Sequence, residues 1–456
     1  MTSRYFEQAA PSRLLAEYPI GDAFLSGPAK LSRDALRALQ EDRFAQVMRR
    51  AWEVSFYKRR WSAAGIEPGD IKGLDDLEKL PTFSKADLMD SVEAYPPFGD
   101  YHGMDDAFSN AVLHTTSGTT GTPQPLFFGP WDREVQNALL ARAYRLQGLG
   151  KGDVAHSVYG YGMVNGGHYV REAVSHFTDA LYVPAGTGRD TPTVQQVEAM
   201  RRYGATAILG FADYIKRLAE AVVEAGLTPG EDIPMRLVSG HIGQEDKQAI
   251  SDAWGGAAVY DWYGVGDTGI VAGEGPAKNG LYVWEDAHIL EILDAESGER
   301  LPDEHAGNMC VTPLFKTGVY PIVRFDTKDV STLLPPDAAS GIDFRRIPGF
   351  QGRSDNMVKL RGINVYPTAI GAMLDPHSET TGEYICRLSR AGVRDELTVV
   401  VEARSQSEQL ATEIANLLKR GLGVEVQVEL AAPGDTASET QVESRQKPIR
   451  LIDLRP

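Results

Sequence analysis

Helical stretches alternate with short apolar strands through the middle of this chain, and that alternation constrains the fold more than any other feature. Val135, Ala138, Leu139, Ala143 and Leu146 fall on one face of a helix expected to start at an Asp132 cap and run to about Gln147. Short apolar strands such as 206–209 (TAIL) and 235–238 (MRLV) then follow between further helical stretches. A strand, a helix and another strand in repeated succession make an α/β architecture.

The flanks read differently. Ahead of this region, Leu36, Leu39, Phe44, Val47, Met48 and Ala51 recur at helical spacing and predict one long amphipathic helix over 34–64. Behind it, 281–293 and 307–331 read as strands and hairpins with turns at Gly298 and Gly318, a smaller β-rich lobe. After GFQGRSD (349–355) the pattern restarts with a strand in MVKL, a turn in RGINVYP and a helix from Thr368. Strands at 384–388 and 397–402 and a helix at 405–420 complete a compact tail domain. The stretch 431–441 is polar and loop-like, and KPIRLIDLR reads as a closing basic strand. The division expected is 1–353 and 354–456.

With 456 residues, 42% of them hydrophobic, the chain can bury the cores of two or three domains. A formal charge of −17 argues against nucleic acid or an anionic membrane as the main partner, because phosphate contacts need clustered Lys and Arg. The N-terminus lacks an apolar h-region and no 18-residue apolar run follows, so a cytoplasmic protein is expected. Cys310 and Cys386 stand far apart, outside any metal-ligand spacing, and read as core thiols.

An anionic ligand must therefore be held locally, and residues 115–123 (TTSGTTGTP) are suited to it. Glycines let the backbone turn its N–H groups toward phosphate, and Ser117, Thr119 and Thr120 add hydroxyl donors. The run lacks the Lys-Ser/Thr ending and immediate helix of a Walker A loop, since Thr122-Pro123 leads into a short strand at 126–128. A Ser/Thr-rich hairpin turn is the plainer alternative.

Four more blocks decide between them: YGVGD (263–267), RFDTKD (324–329), GRSDNMVKLRG (352–362) and QKPIRLID (446–453). In this order they resemble the acyl-adenylate-forming superfamily along nearly the whole chain. FYKRRWSAAGIEPGDI, LPTFSKADL (80–88), YGYGMVNGG (159–167) and GLYVWED (280–286) are similar to phenylacetate-CoA ligases. The resemblance implies an α/β fold with a large, multi-lobed N-terminal acid- and ATP-binding domain and a small, mobile α+β C-terminal lid. It also implies a two-step reaction in which carboxylate and ATP give acyl-AMP, and a thiol, normally that of CoA, then displaces AMP.

By the same resemblance Thr116, Ser117, Gly118, Thr119, Thr120 and Gly121 hold the ATP phosphates. Asp267, where the family usually has glutamate, holds Mg²⁺; a turn-forming Asp is its alternative. Gly240, Tyr263 and Gly264 border the adenine, Asp329 accepts from the ribose hydroxyls, and Arg353 orients nucleotide or domain. For Asp329 a surface ion pair with Lys328 or Arg324 is the alternative. Lys447 is the expected adenylation cation, against a merely solvated terminal lysine. Asp355 falls at the hinge, and for Arg353 and Asp355 alike an ordinary loop salt bridge is the alternative. Thr122 replaces a lysine usual in the family loop, which removes a positive charge beside the phosphates.

Tyr159, Val164, Asn165 and His241 are assigned to the acid pocket. Val164 stands where phenylacetate ligases carry phenylalanine, so a wider pocket is expected. His241 with Asn165 could bond a ring hydroxyl or amino group, or His241 is a hydrogen-bonded core imidazole. The activity implied is an aryl-acid CoA ligase for a benzoate-type acid, amino- or hydroxy-substituted, or phenylacetate. A carrier-protein thiol or an amine as acceptor, a non-catalytic nucleotide-binding relative, and a homodimeric state all stay open.

Overall fold

The computed structural model describes residues 4–104, 110–116, 123–337, 339–361, 363–374, 377–391, 394–442 and 448–455. Its centre is an eight-stranded sheet in the order Arg346–Ile347, Leu281–Val283, Gly269–Glu274, Ala258–Val265, Leu237–His241, Ala207–Phe211, Val154–Ser157, Leu181–Pro184. The last five strands run parallel, and the first three join antiparallel at the other edge. Parallel neighbours need crossovers, supplied by the helices Asn165–Phe177, Thr193–Tyr203, Ala212–Glu224 and Lys247–Ala253. Buried on both faces, Ala207–Leu209 and Leu237–Val238 are continuously apolar. Their carboxyl ends point one way, and such an edge is where open α/β sheets bind ligands.

The β-rich lobe is a four-stranded antiparallel sheet, His288–Leu293, Ala306–Pro313, Phe325–Thr332 and Gly352–Arg353. Its last pairing sets Asp329 opposite Arg353. Beyond it, Gln427–Ala431, Arg394–Ala403, Thr380–Ala391 and Leu451–Asp453 form another sheet. That sheet has a hydrophobic cluster of its own, including Val358, Ile370, Cys386, Val399 and Ile414. The Glu408–Leu422 helix covers it, starting where the Ser407 side chain accepts from Leu410 N and ending at Gly423 with φ 72°. Leu410, Ile414 and Leu418 repeat every four residues on its buried face, each contributing about 1.5–3 kcal/mol of burial.

Three expectations need correction. The 34–64 segment is two helices, Arg33–Ala51 and Ser55–Ala63. Val54 is extended between them, Phe56 N donates to Asp100 O, and the bend lets Trp52 meet Trp61 edge-on at 4.8 Å. Tertiary packing overrides a continuous local period. The next helix spans Pro130–Leu146 and is capped by Gly129, with Pro130 in its first turn. Asp132 therefore lies inside the helix, where it is buried and accepts from Gly318 N. The stretch 431–441 also contains a short helical turn, Ala437–Thr440. Cys310 and Cys386 are buried free thiols.

Candidate functional site

The nucleotide side begins at the neck of the glycine-rich loop. Val112–Thr115 pairs antiparallel with Pro125–Phe128. Thr116 N then donates to Gln124 O at 3.1 Å, and Gln124 N to Thr116 Oγ1 at 3.1 Å. Ser117, Gly118, Thr119, Thr120, Gly121 and Thr122 lie outside the described residues. From that neck Gln124 donates to Asp267 Oδ1 at 2.7 Å, and Tyr320 donates to the same oxygen at 2.8 Å. Asp267 sits between two antiparallel strands, Ala258–Val265 and Gly269–Glu274, and burial raises its carboxyl pKa. Its Oδ2 makes no hydrogen bond among the described residues, so one oxygen remains for a hard cation.

Lys316 was not anticipated from the sequence. It is fully buried, its Nζ has no hydrogen-bond partner among the described residues, and the rings of Tyr320 and Phe128 lie 4.5 and 5.5 Å away. Burial brings its pKa down to about 8, opposed by the charges of Asp132 and Asp267. A buried cation thus stands near Asp267 and beside Phe128 of the Pro125–Phe128 strand. In LFKTGVYP nothing distinguishes this lysine from a solvated one.

Tyr263, Asp329, Arg353 and Asp355 come together. Tyr263 donates to Asp329 Oδ2 at 2.8 Å and Arg353 Nη1 to Asp329 Oδ1 at 2.8 Å. The other guanidinium nitrogens of Arg353 grip Asp355 at 2.8 and 2.6 Å. The ion pairs considered for Asp329 are taken up elsewhere, Arg324 by Glu291 and Lys328 by Asp326. Gly240 and Gly264 are required by close backbone approach: an added Cβ would stand 1.7 Å from Gly210 O and 2.3 Å from Gly269 O.

On the acid side, the carboxyl ends of adjacent parallel strands align an aromatic group. Phe211 and His241 are register partners and stack at 4.8 Å with planes 17° apart. Tyr159 follows the neighbouring strand, and its hydroxyl and His241 Nδ1 share a hydrogen bond of 3.0 Å. Trp262 completes the group 4.0 Å from His241. Val164 precedes the Asn165–Phe177 helix, half-buried and bridged to Thr115, which joins the acid segment to the phosphate-loop strand. Asn165 Oδ1 accepts from Arg133 Nη1 at 2.5 Å, which leaves its Nδ2 as the group that could face a ligand. Arg133 was likewise not anticipated.

Lys447 lies outside the described residues. Close by in sequence, Arg450 is held by Glu383 at 2.7 Å and reaches Asp213 at 4.0 Å, at the start of the Ala212–Glu224 helix. The closing basic strand is therefore docked against the large domain near the sheet's carboxyl edge. No described helix is long and apolar enough to cross a membrane.

Comparison with known proteins agrees with this layout. The AMP-binding enzyme C-terminal domain model matches residues 362–455. The phenylacetate-coenzyme A ligase of Aromatoleum evansii is 31% identical, covering 94% of this chain and 96% of the relative. That of Pseudomonas putida is 32% identical, covering 90% and 94%. Among solved structures, a 2-hydroxyisobutyryl-CoA ligase in its postadenylation state superposes with TM-score 0.83 at 27% identity, over 93% of this chain and 90% of that one. The same enzyme in its thioesterification state, covering 94% and 91% at 28% identity, gives 0.68. The chain belongs to the phenylacetate-coenzyme A ligase family of acyl-adenylate-forming enzymes.

Proposed function

We propose that the protein is an AMP-forming acid–CoA ligase that activates an aromatic carboxylate, benzoate-type with amino or hydroxy substitution, or phenylacetate. The observation that carries this reading is likeness to phenylacetate-coenzyme A ligases over 94% of the chain. In the first step a carboxylate oxygen attacks the α-phosphorus of ATP and pyrophosphate leaves. In the second, a CoA thiol attacks the acyl carbonyl and AMP leaves. The first step moves negative charge onto phosphate oxygens, so fixed donors and cations around them lower its barrier.

Residue roles follow from that need. The loop 117–122 grips the β and γ phosphates, and Lys447 follows the charge on the reacting oxygens. Asp329, already an acceptor for Tyr263 and Arg353, offers its carboxylate to the ribose. Asp267 would hold Mg²⁺ through Oδ2, the oxygen that Gln124 and Tyr320 leave open. Bound there, Mg²⁺ supplies charge neutralisation for the phosphates. Tyr159, Phe211, His241 and Trp262 flank the acid. The higher TM-score against a postadenylation state supports a tail domain arranged as after acyl-AMP formation, with Asp355 as the point about which it turns for the thiol step.

Acid-dependent exchange of labelled pyrophosphate into ATP tests the reading. Exchange should appear with at least one aromatic acid and require Mg²⁺. ATP binding without exchange for any acid would instead make the chain a non-catalytic nucleotide-binding relative.

A further inference from the structure

The Pro130–Leu146 helix buries polar side chains on the side turned toward the acid segment. Arg133, Gln136 and Asn137 are each almost wholly inaccessible. Arg133 is placed by its bond to Asn165 and by the rings of Phe128 and Tyr169, 5.2 and 5.6 Å from its guanidinium carbon. Gln136 lies against the loop that carries Asp267, because a Cβ added at Gly269 would stand 2.9 Å from its Cδ. Tyr169 links the two, donating to Gln136 O at 2.9 Å and meeting Trp262 at 6.4 Å. Tyr169 therefore joins this polar set to Trp262 of the aromatic wall.

Part of this set is self-satisfied and part is not. Arg133 Nε is bonded to Glu172, which also accepts from Asn137, so the guanidinium charge is balanced within the protein. Arg133 Nη2 has no partner among the described residues, and neither amide atom of Gln136 has one. The Arg133 bond fixes Asn165 by its oxygen, which turns Nδ2 away as a donor with no hydrogen bond among the described residues. Buried polar atoms are nearly always paired, so a complement is missing here. A group that fills the gap accepts from two of these donors and donates to Gln136 Oε1. A hydroxyl does both. A second carboxylate brings a charge that Glu172 has already matched, and a bare ring leaves the amide unpaired.

We propose that Arg133, Gln136 and Asn165 form a polar end to the acid pocket, and that the acid this enzyme activates carries a neutral hydroxyl on its body that binds there. This rests on the reading of the chain as an acid-activating ligase. The test is pyrophosphate exchange with matched pairs, the positional isomers of hydroxybenzoate and hydroxyphenylacetate against their unsubstituted parents. One hydroxy isomer should exceed its parent by at least ~10-fold in kcat/KM, because a site built to bond a hydroxyl discriminates against the analogue lacking it. Gln136→Leu should erase most of that preference while KM for ATP and the melting temperature stay near wild type, and Gln136→Met serves if the leucine variant fails to fold. Equal use of hydroxy acids and parents by the wild type, or a preference unchanged in the variant, overturns the proposal and leaves the amides to internal water. Exchange with no acid at all removes the ligase reading, and this proposal with it.

Discussion

Asp261 shows how burial outweighs nearby partners in setting a charge state in this molecule. It is fully enclosed, its Oδ1 accepts from Ile242 N at 2.9 Å, and desolvation pushes its carboxyl up to about 7. In the unfolded chain the same group titrates near its ordinary ~3.9. Between those values the native state binds a proton that the unfolded state has lost, so stability falls as pH rises through that window and stays low above it. Asp261→Asn keeps an oxygen acceptor and removes the penalty. Its melting temperature should exceed wild type by a margin that grows from about pH 5 to about pH 8, and a constant margin would contradict the assignment. At the reacting end, Lys447→Ala should slow acyl-AMP formation by at least ~10²-fold, the usual loss of a transition-state charge donor. Thioester formation from supplied acyl-AMP should survive. Equal loss of both steps would remove Lys447 from the first one.

Elements bring together what no local pattern joins. Phe211 and His241 end adjacent parallel strands and Tyr159 follows a third, so the sheet's carboxyl edge makes one aromatic wall from segments tens of residues apart. Val164, between that wall and the phosphate-loop strand, should control ring size. Val164→Phe should change relative kcat/KM among substituted acids with KM for ATP nearly unchanged, and an unaltered acid profile would place the segment away from the substrate. The α/β alternation and the restarted tail were legible because hydrophobic period fixes element type. The break at Val54 was not, since it depends on packing against residue 100 rather than on any local breaker. Tyr263, Asp329 and Arg353 were legible only through the order of their blocks, and the structure joins them by hydrogen bonds. Arg133, Gln136 and Lys316 gave no signal. They are polar residues whose burial is imposed by distant segments, and sequence alone reads such residues as solvated.

For the whole molecule, the two steps ask for different groups over one carbonyl: a cation for phosphate charge, then a narrow channel for a thiol. The tail domain has its own core, and the Arg353–Asp355 pair lies where its chain leaves the β-rich lobe. Asp355→Pro fixes φ near −65° and removes a backbone donor in the short turn Ser354–Asn356. It should leave acid-dependent exchange largely intact and remove most thioester formation. Asp355→Ala, which loses only the ion pair, should keep both. A thioester step as fast as wild type in the proline variant would place the turning point elsewhere.

The central claim is that one chain joins an aromatic acid to CoA through an acyl-adenylate. Incubating the protein with ATP, Mg²⁺, CoA and the aromatic acid that best supports exchange, and identifying every product by mass, tests it most directly. The account predicts an aryl-CoA thioester and AMP in equal amounts, with no ADP. ADP as the nucleotide product, or acyl-AMP that accumulates unchanged before saturating CoA, would contradict it.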